Sequence, residues 1–160
     1  MSRVSILMGS ESDLDTVKEA VAVLRQFNEG FEIKVLYAHR TPKELVRYVE
    51  GAPKRGVKVF IAAAGMSAAL AGVIAAHTTL PVIGIPIESK TLKGMDSLLS
   101  TVQMPPGIPV GCMAIGNAGA KNAAIFALEI LATGDKKIQS KLAANKKNMA
   151  AKIRKIKIKV

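Results

Sequence analysis

Tryptophan is absent from this sequence and aromatic residues make up only 4% of it, so large rings contribute little to the interior. The hydrophobic share is nevertheless 49%, consisting mainly of Ala, Val, Ile, Leu and Met, while charged residues account for 22%. A chain of 160 residues with this composition can bury a substantial core, which excludes a largely disordered protein. We expect one globular domain in which small side chains pack closely.

Cysteine is nearly absent as well, because Cys112 is the single one and no internal disulfide can form. The amino terminus lacks the charged, apolar and cleavage-site pattern of a secretory signal, and no run of about 18 apolar residues predicts a membrane-spanning helix. Cys112 itself lies in an apolar stretch, where an inert thiol is expected. Together these observations predict a cytoplasmic protein.

Residues typical of metal sites and nucleotide loops are also scarce. The two histidines, His39 and His77, lie far apart and no cluster of Cys, His and carboxylates accompanies them, so a metal site has little support. No Walker loop or Gly-x-Gly-x-x-Gly fingerprint follows a predicted strand, so nucleoside triphosphates and dinucleotides are not indicated. His77 lies near a helix end, where a favourable charge or hydrogen bond explains it. His39 therefore remains as the candidate acid or base.

Basic residues outnumber acidic ones by 23 to 12, and the excess is unevenly distributed. Residues 135–160 carry a net charge of +9, whereas residues 1–134 carry only +2. We therefore expect an α/β domain over residues 1–134, followed by a basic helix and tail over residues 135–160 that packs on it or extends from it. Apolar positions suggest that this helix is partly amphipathic: Ile138, Leu142, Met149 and Ile153, followed by the alternating Ile156, Lys157, Ile158 and Lys159. A solvated helix and frayed tail is favoured over a nucleic-acid or membrane contact, so neither partner is expected.

The apolar pattern alternates between strand-like runs and helical spacing along the whole body of the chain. Near-continuous apolar runs predict strands that are covered on both faces, as in a parallel sheet between two layers of helices. We predict a single three-layer, doubly wound α/β domain with right-handed crossovers. The predicted strands cover residues 4–8, 31–36, 57–64, 81–86 and 110–115, and the predicted helices begin at residues 14, 42, 67, 95 and 120.

The stretch of residues 36–42 combines a proton carrier, an anion-binding side chain and a helix start. Thr41 suits an N-cap, Pro42 suits the first helical position, and Glu44 completes a predicted capping box. His39 and Arg40 then occupy a strand-to-helix turn, where open α/β sheets bind ligands. A surface histidine beside a solvated arginine is the alternative.

The loop after the first strand has features that suit a phosphate and a sugar. Gly9 permits a tight turn, and the hydroxyls of Ser10 and Ser12 can contact anion oxygens at the start of the next helix. Asp13 would repel a phosphate, so we assign it to a neutral diol such as ribose. Arg40 from the neighbouring loop strengthens the phosphate assignment, because a guanidinium matches phosphate geometry. An N-cap without a ligand is the alternative.

The loop after the third strand is made of small residues with almost no side-chain chemistry. Gly65, Ser67 and Ala68 would contribute close backbone approach and a small apolar pocket. Tight core packing explains most of the alanines in this region equally well. We include these three residues among the candidate substrate contacts.

Four motifs together resemble the class I N5-carboxyaminoimidazole ribonucleotide mutases of purine biosynthesis, and the likeness covers nearly the whole body of the chain. The motifs are Met-Gly-Ser-Glu-Ser-Asp at residues 8–13, Ala-His-Arg-Thr-Pro at 38–42, the run from Ser97 to Val110, and Gly-Ala-Lys-Asn-Ala-Ala at 119–124. The resemblance implies a flavodoxin-like fold, a homo-octamer and no cofactor. It also implies that a carboxylate moves from the exocyclic nitrogen to C4 of aminoimidazole ribonucleotide.

Position by position, the resemblance implies phosphate contacts for Ser10 and Arg40, a ribose contact for Asp13 and a catalytic role for His39. The chain departs from the family pattern at two places. Tyr37 stands where most relatives have Ser, and Ala69 stands where many have a second His. The related class II enzymes carboxylate aminoimidazole ribonucleotide directly with CO2, and the run of residues 39–42 favours class I.

The expected mechanism needs only one proton carrier. The carbamate would lose CO2 inside a closed pocket walled by the third loop, and C4 would recapture it. One proton is gained on nitrogen and one is lost from carbon, so a neutral His39 can carry both. The remaining alternatives are a non-catalytic domain that binds ribose phosphate or flavin phosphate, and RNA binding through the tail. A signalling receiver domain would need acidic residues where the third strand ends in alanines.

Overall fold

The computed structural model describes residues 2–158, and in these the chain forms one five-stranded, all-parallel sheet between two layers of helices. The strand order is β2-β1-β3-β4-β5, the order of flavodoxin-like folds, so the predicted doubly wound architecture is confirmed. The strands are β1 Val4–Met8, β2 Phe31–Val35, β3 Val59–Ala64, β4 Val82–Pro86 and β5 Gly111–Cys112. The helices are α1 Leu14–Gln26, α2 Pro42–Glu50, α3 Leu70–Ala76, α4 Met95–Val102, α5 Gly116–Ala132 and α6 Lys136–Arg154.

Three predicted elements differ from the structure by three residues or more at one end. The last strand was predicted over residues 110–115 but covers only two residues, because it is an edge strand that pairs with β4 alone and follows Pro109. Helix α3 begins at Leu70 rather than at residue 67, since residues 65–69 form a separate loop. Helix α5 begins four residues early because Gly119 lies against the backbone of Ala114, where any Cβ would overlap the carbonyl oxygen.

The two faces of the sheet bury separate apolar layers, which explains the continuous apolar runs in the sequence. Ile6 faces α1, α5 and α6, whereas the next residue, Leu7, faces α2 and α3. Small residues bring the layers close together. Gly84 of β4 is an example, because the methyl group of Thr101 in α4 occupies the space where a Cβ would lie.

One polar network crosses the face covered by α2. Ser5 is fully buried, and its hydroxyl lies 2.9 Å from the Tyr48 hydroxyl, which donates to Glu32 at 2.5 Å. Burial is the main reason why the pKa of Tyr48 is raised to about 12, and this bond to Glu32 is the second. Burial also raises the pKa of Glu32, but hydrogen bonds from Arg55 and Tyr48 outweigh it and leave that pKa below its usual value. The network thus satisfies a hydroxyl and a carboxylate that would otherwise be poorly solvated.

Helix α6 packs on the domain through its first half only. Asp135 caps it by accepting from the backbone N–H groups of Lys137 and Ile138, at 3.0 and 3.3 Å. Ile138 and Leu142 are buried, whereas Met149, Ile153, Ile156 and Ile158 are all more than half exposed. Lys159, the end of the alternating tail, lies outside the described residues. Within residues 2–158, no helix is long and apolar enough to cross a membrane.

Candidate active site

Three loops leave the sheet side by side at the carboxyl ends of β2, β1 and β3. Met8 ends the central β1 and pairs in register with Val35 on one side and Ala63 on the other. Backbone hydrogen bonds continue past the strands, with the Leu36 N–H donating to the Met8 carbonyl at 3.1 Å and the Gly9 N–H to the Ala63 carbonyl at 3.0 Å. The chain reverses its direction of winding around β1, so these loops form the crevice in which such sheets bind ligands.

The loop of residues 9–13 is a short 3₁₀ turn with two hydroxyl groups in contact. Ser10 Oγ accepts from the Ser12 backbone N–H at 3.2 Å, and the two hydroxyl oxygens are 2.8 Å apart. Ser10 therefore does cap this turn, as the alternative interpretation required. Its own hydroxyl hydrogen stays available, so capping does not exclude an anion contact.

Asp13 is the buried acid of the crevice, with only 6% of its surface exposed. Burial raises the pKa of its carboxyl group, although hydrogen bonds from the Ser12 hydroxyl and the Ser10 backbone oppose this effect. The Ser12 contact is long, at 3.3 Å, and the Asp13 side chain does not cap α1. A buried carboxylate with spare acceptor capacity is typical of a functional site.

The turn of residues 37–41 is closed by Tyr37 and Thr41. The Tyr37 N–H donates to Thr41 Oγ1 at 2.9 Å, and the Tyr37 carbonyl accepts from both the Thr41 N–H and its hydroxyl. The predicted capping box was wrong, because the Thr41 side chain bonds back to Tyr37 and makes no capping bond to α2. Pro42 does occupy the first helical position.

His39 and Arg40 lie within this closed turn, and both are exposed. Across residues 2–158, neither side chain takes part in a hydrogen bond or an ion pair. The Arg40 guanidinium instead stacks over the Tyr37 ring, 4.8 Å from its centroid. The sequence did not reveal this contact. The side chains that would perform acid-base chemistry and bind an anion are thus accessible at the crevice.

The third loop has a strained backbone and a mixed exposure. Met66 adopts a positive φ of 57° and is 71% exposed, which no pattern in the sequence predicted. Gly65 and Ser67 lie at the surface, but Ala68 is buried, so packing accounts for the Ala68 side chain. A strained residue beside a crevice is a feature often found at binding sites.

Other parts of the structure offer less chemistry. The described residues include no group of three or more His, Cys, Asp and Glu that could hold a metal ion. A cavity of about 1000 Å³ lies at the amino-terminal end of the strands, near the start of β4. Its one histidine, His77, has Nδ1 3.8 Å from Glu50 Oε1. Burial raises the pKa of the Cys112 thiol, which agrees with an inert residue.

Comparisons with known proteins concern nearly the whole chain. A family model described as AIR carboxylase matches residues 3–152. The N5-carboxyaminoimidazole ribonucleotide mutase of Vibrio parahaemolyticus is 55% identical over 142 residues, covering 89% of this chain and 88% of that protein. The protein of the same name from Pyrococcus abyssi is 54% identical over 149 residues, covering 93% and 84%. The crystal structure of Treponema denticola PurE matches with a TM-score of 0.85 and 30% identity, covering 94% of this chain and 92% of that one.

Proposed function

This chain belongs to the AIR carboxylase family, and we propose that it is an N5-carboxyaminoimidazole ribonucleotide mutase of purine biosynthesis. Relatives of that name are 54–55% identical to it over aligned regions that cover most of both chains. The observation that carries the proposal within the structure is the crevice itself. It joins an exposed His39 and Arg40 to the loop of the buried Asp13 at the switch point of the sheet.

The nucleotide would be held by groups from all three loops. Arg40, Ser10 and Ser12 bind the phosphate, since a guanidinium and hydroxyl donors suit its oxygens. Asp13 accepts hydrogen bonds from the ribose hydroxyls, in addition to the long contact from Ser12 that its carboxylate already accepts. The backbone of Gly65, Ser67 and Ala68 lines the side where the base and CO2 would lie.

The reaction would proceed by loss and recapture of CO2. The N–C bond of the carbamate breaks, the exocyclic nitrogen takes a proton, and CO2 is released inside the pocket. C4 of the ring then forms a C–C bond to CO2 and gives up its proton. His39 carries both protons, because it is the histidine at the crevice. It gives one proton to the nitrogen and takes one from C4, so it returns to its starting protonation state within one turnover.

Direct carboxylation of aminoimidazole ribonucleotide is the second candidate, favoured by the description of the matching family model. Supplying the purified protein either with N5-carboxyaminoimidazole ribonucleotide or with aminoimidazole ribonucleotide and CO2 would separate the two. Both arms are followed by absorbance of the 4-carboxy product. We expect rapid conversion of the carbamate at low CO2. If the protein converts aminoimidazole ribonucleotide with CO2 but does not convert the carbamate, the mutase proposal is wrong.

We also propose that the protein works in the cytoplasm as a homo-octamer. Exposed apolar side chains that a second copy could cover support association, including Met66, Leu92, Met95, Leu99 and Ile153. Light scattering during gel filtration would measure the mass, and a monomer at micromolar concentration would contradict the proposal.

The division at residue 134 is tested by removing residues 136–160. We expect no RNA binding before truncation, because the basic segment is predicted to be a solvated helix and tail. We expect none after truncation, because the net charge of the remaining body is small.

A further inference from the structure

Tyr37 and Arg40 form a stacked pair inside the closed turn of residues 37–41. The guanidinium carbon of Arg40 lies 4.8 Å from the centroid of the Tyr37 ring. The Tyr37 backbone is fixed, because its N–H and carbonyl are both bonded to Thr41. Among residues 2–158, Tyr37 does not belong to either apolar layer, although its neighbours Leu36 and Ala38 pack against one of them. The turn therefore fixes the backbone that carries the ring, and the ring contacts Arg40 without filling the core.

Stacking constrains the guanidinium without using its hydrogen-bond donors. A planar guanidinium that lies over an aromatic ring keeps its five N–H groups directed outward in its own plane, where they can bind an anion through two parallel bonds. No carboxylate in the described chain pairs with Arg40, so its charge also stays uncompensated. An exposed arginine without such a ring would lose more side-chain freedom when it binds.

We propose that Tyr37 is a positioning residue that orients Arg40 for the phosphate of the ribonucleotide. The inference rests on the proposed function, which assigns Arg40 to that phosphate. Tyr37 does not touch the substrate in this account. It acts through Arg40, so its removal changes binding and leaves the chemical step as it was.

The test is a double-mutant cycle with dissociation constants for the 4-carboxy product, measured by calorimetry, and with kcat and KM. Tyr37→Leu keeps apolar bulk but removes the ring, whereas Tyr37→Phe keeps the ring. We expect Tyr37→Leu to weaken binding about two- to five-fold with kcat unchanged, the range of an exposed cation–π contact. Tyr37→Phe should bind like the wild type. In an Arg40→Ala background, Tyr37→Leu should have no further effect.

A second stacked pair provides a matched control. Arg55 lies 4.2 Å from the centroid of the Tyr48 ring and pairs with Glu32 at 2.9 Å, in the segment before β3 at the amino-terminal end of the strands. Arg55→Ala removes the same charge and the same kind of contact. It should leave product affinity unchanged, which excludes a general effect of net charge.

The outcomes separate the two levels of the proposal. If Tyr37→Leu weakens binding equally with and without Arg40, the ring acts on the ligand or the loop and the positioning role is wrong. If Arg40→Ala weakens binding but Tyr37→Leu does not, the positioning role alone is wrong. If Arg40→Ala leaves affinity unchanged while turnover is normal, the phosphate assignment fails and the positioning role fails with it. The same double-mutant cycle can be measured with inorganic phosphate as the ligand. If Tyr37→Leu weakens phosphate binding only when Arg40 is present, while the protein shows no turnover, the mutase function is wrong but the role of Tyr37 stands.

Discussion

Asp13→Asn should weaken nucleotide binding without weakening the fold. Asp13 is 6% exposed, and its carboxylate accepts from the Ser12 hydroxyl and the Ser10 backbone within its own loop, so little of the fold beyond that loop depends on it. Two ribose hydroxyls would donate to it in the complex, and a hydrogen bond to a charged group contributes about 1.5–3 kcal/mol. An amide of the same shape keeps part of this contact, so we expect affinity to fall about 10- to 150-fold.

At neutral pH, Asp13→Asn should leave the fold as stable as that of the wild type or more stable, although it weakens binding. Burial raises the folded-state pKa of Asp13, so its ionisation favours the unfolded chain once the pH exceeds the unfolded value. This loss of stability is absent at low pH, grows between the unfolded and folded pKa values, and is constant at higher pH. Asn carries no charge, so the variant should melt at the same or a higher temperature than the wild type at pH 7.5, and the difference should disappear in acid.

Thermal melts at several pH values and calorimetric titration with the product measure both effects. Asp15→Asn is the control, because this neighbouring carboxylate is solvent-exposed and pairs only with Lys18 at 2.8 Å. It should change neither affinity nor melting appreciably. A lower melting temperature at pH 7.5 with unchanged affinity would show that Asp13 is structural, and the reasoning from its burial would be refuted.

Two further predictions concern the phosphate and the polar network. Arg40→Ala should weaken product binding by about 1.5–3 kcal/mol in titrations and leave the melting temperature unchanged, because the side chain is exposed; normal affinity would remove Arg40 from the site. Tyr48→Phe should lower the free energy of unfolding by about 2–4 kcal/mol in urea, since it leaves the buried Ser5 hydroxyl without its partner and removes the bond to Glu32. The raised Tyr48 pKa of about 12 means that the wild type loses stability between pH 10 and 12 as this hydroxyl ionises more readily in the unfolded chain. The variant has no such hydroxyl, so its free energy of unfolding should not show this decrease. Unchanged stability would mean that the network is not formed in solution.

Most of the fold could be predicted from the sequence because apolar periodicity reports burial directly. The run of residues 4–8 is buried on both faces and was recognised as a strand with its observed bounds. The same signal overestimated β5, because apolar residues near a sheet edge need not pair. The start of α5 was missed because it depends on close contact between Gly119 and a backbone carbonyl.

The sequence predicted that the candidate residues lie in neighbouring loops, but it did not predict their contacts. Sequence spacing placed Ser10, Asp13, His39 and Arg40 in loops that the sheet order does bring together. Capping statistics suggested that Thr41 would bond forward into α2, whereas a local turn allowed it to bond back to Tyr37. The burial of Asp13 and the stacking of Tyr37 depend on three-dimensional packing, which residue types alone do not specify.

The central claim is that His39 carries the protons while other residues hold the nucleotide, and His39→Asn tests it most directly. Asn roughly keeps the size and polarity of the side chain but cannot transfer a proton. Because His39 is exposed and bonded to no other side chain within residues 2–158, the variant should fold and bind the product like the wild type. We predict that its turnover of N5-carboxyaminoimidazole ribonucleotide falls about 100- to 10,000-fold. Normal binding with turnover within a few-fold of the wild type would contradict the account and require a different base.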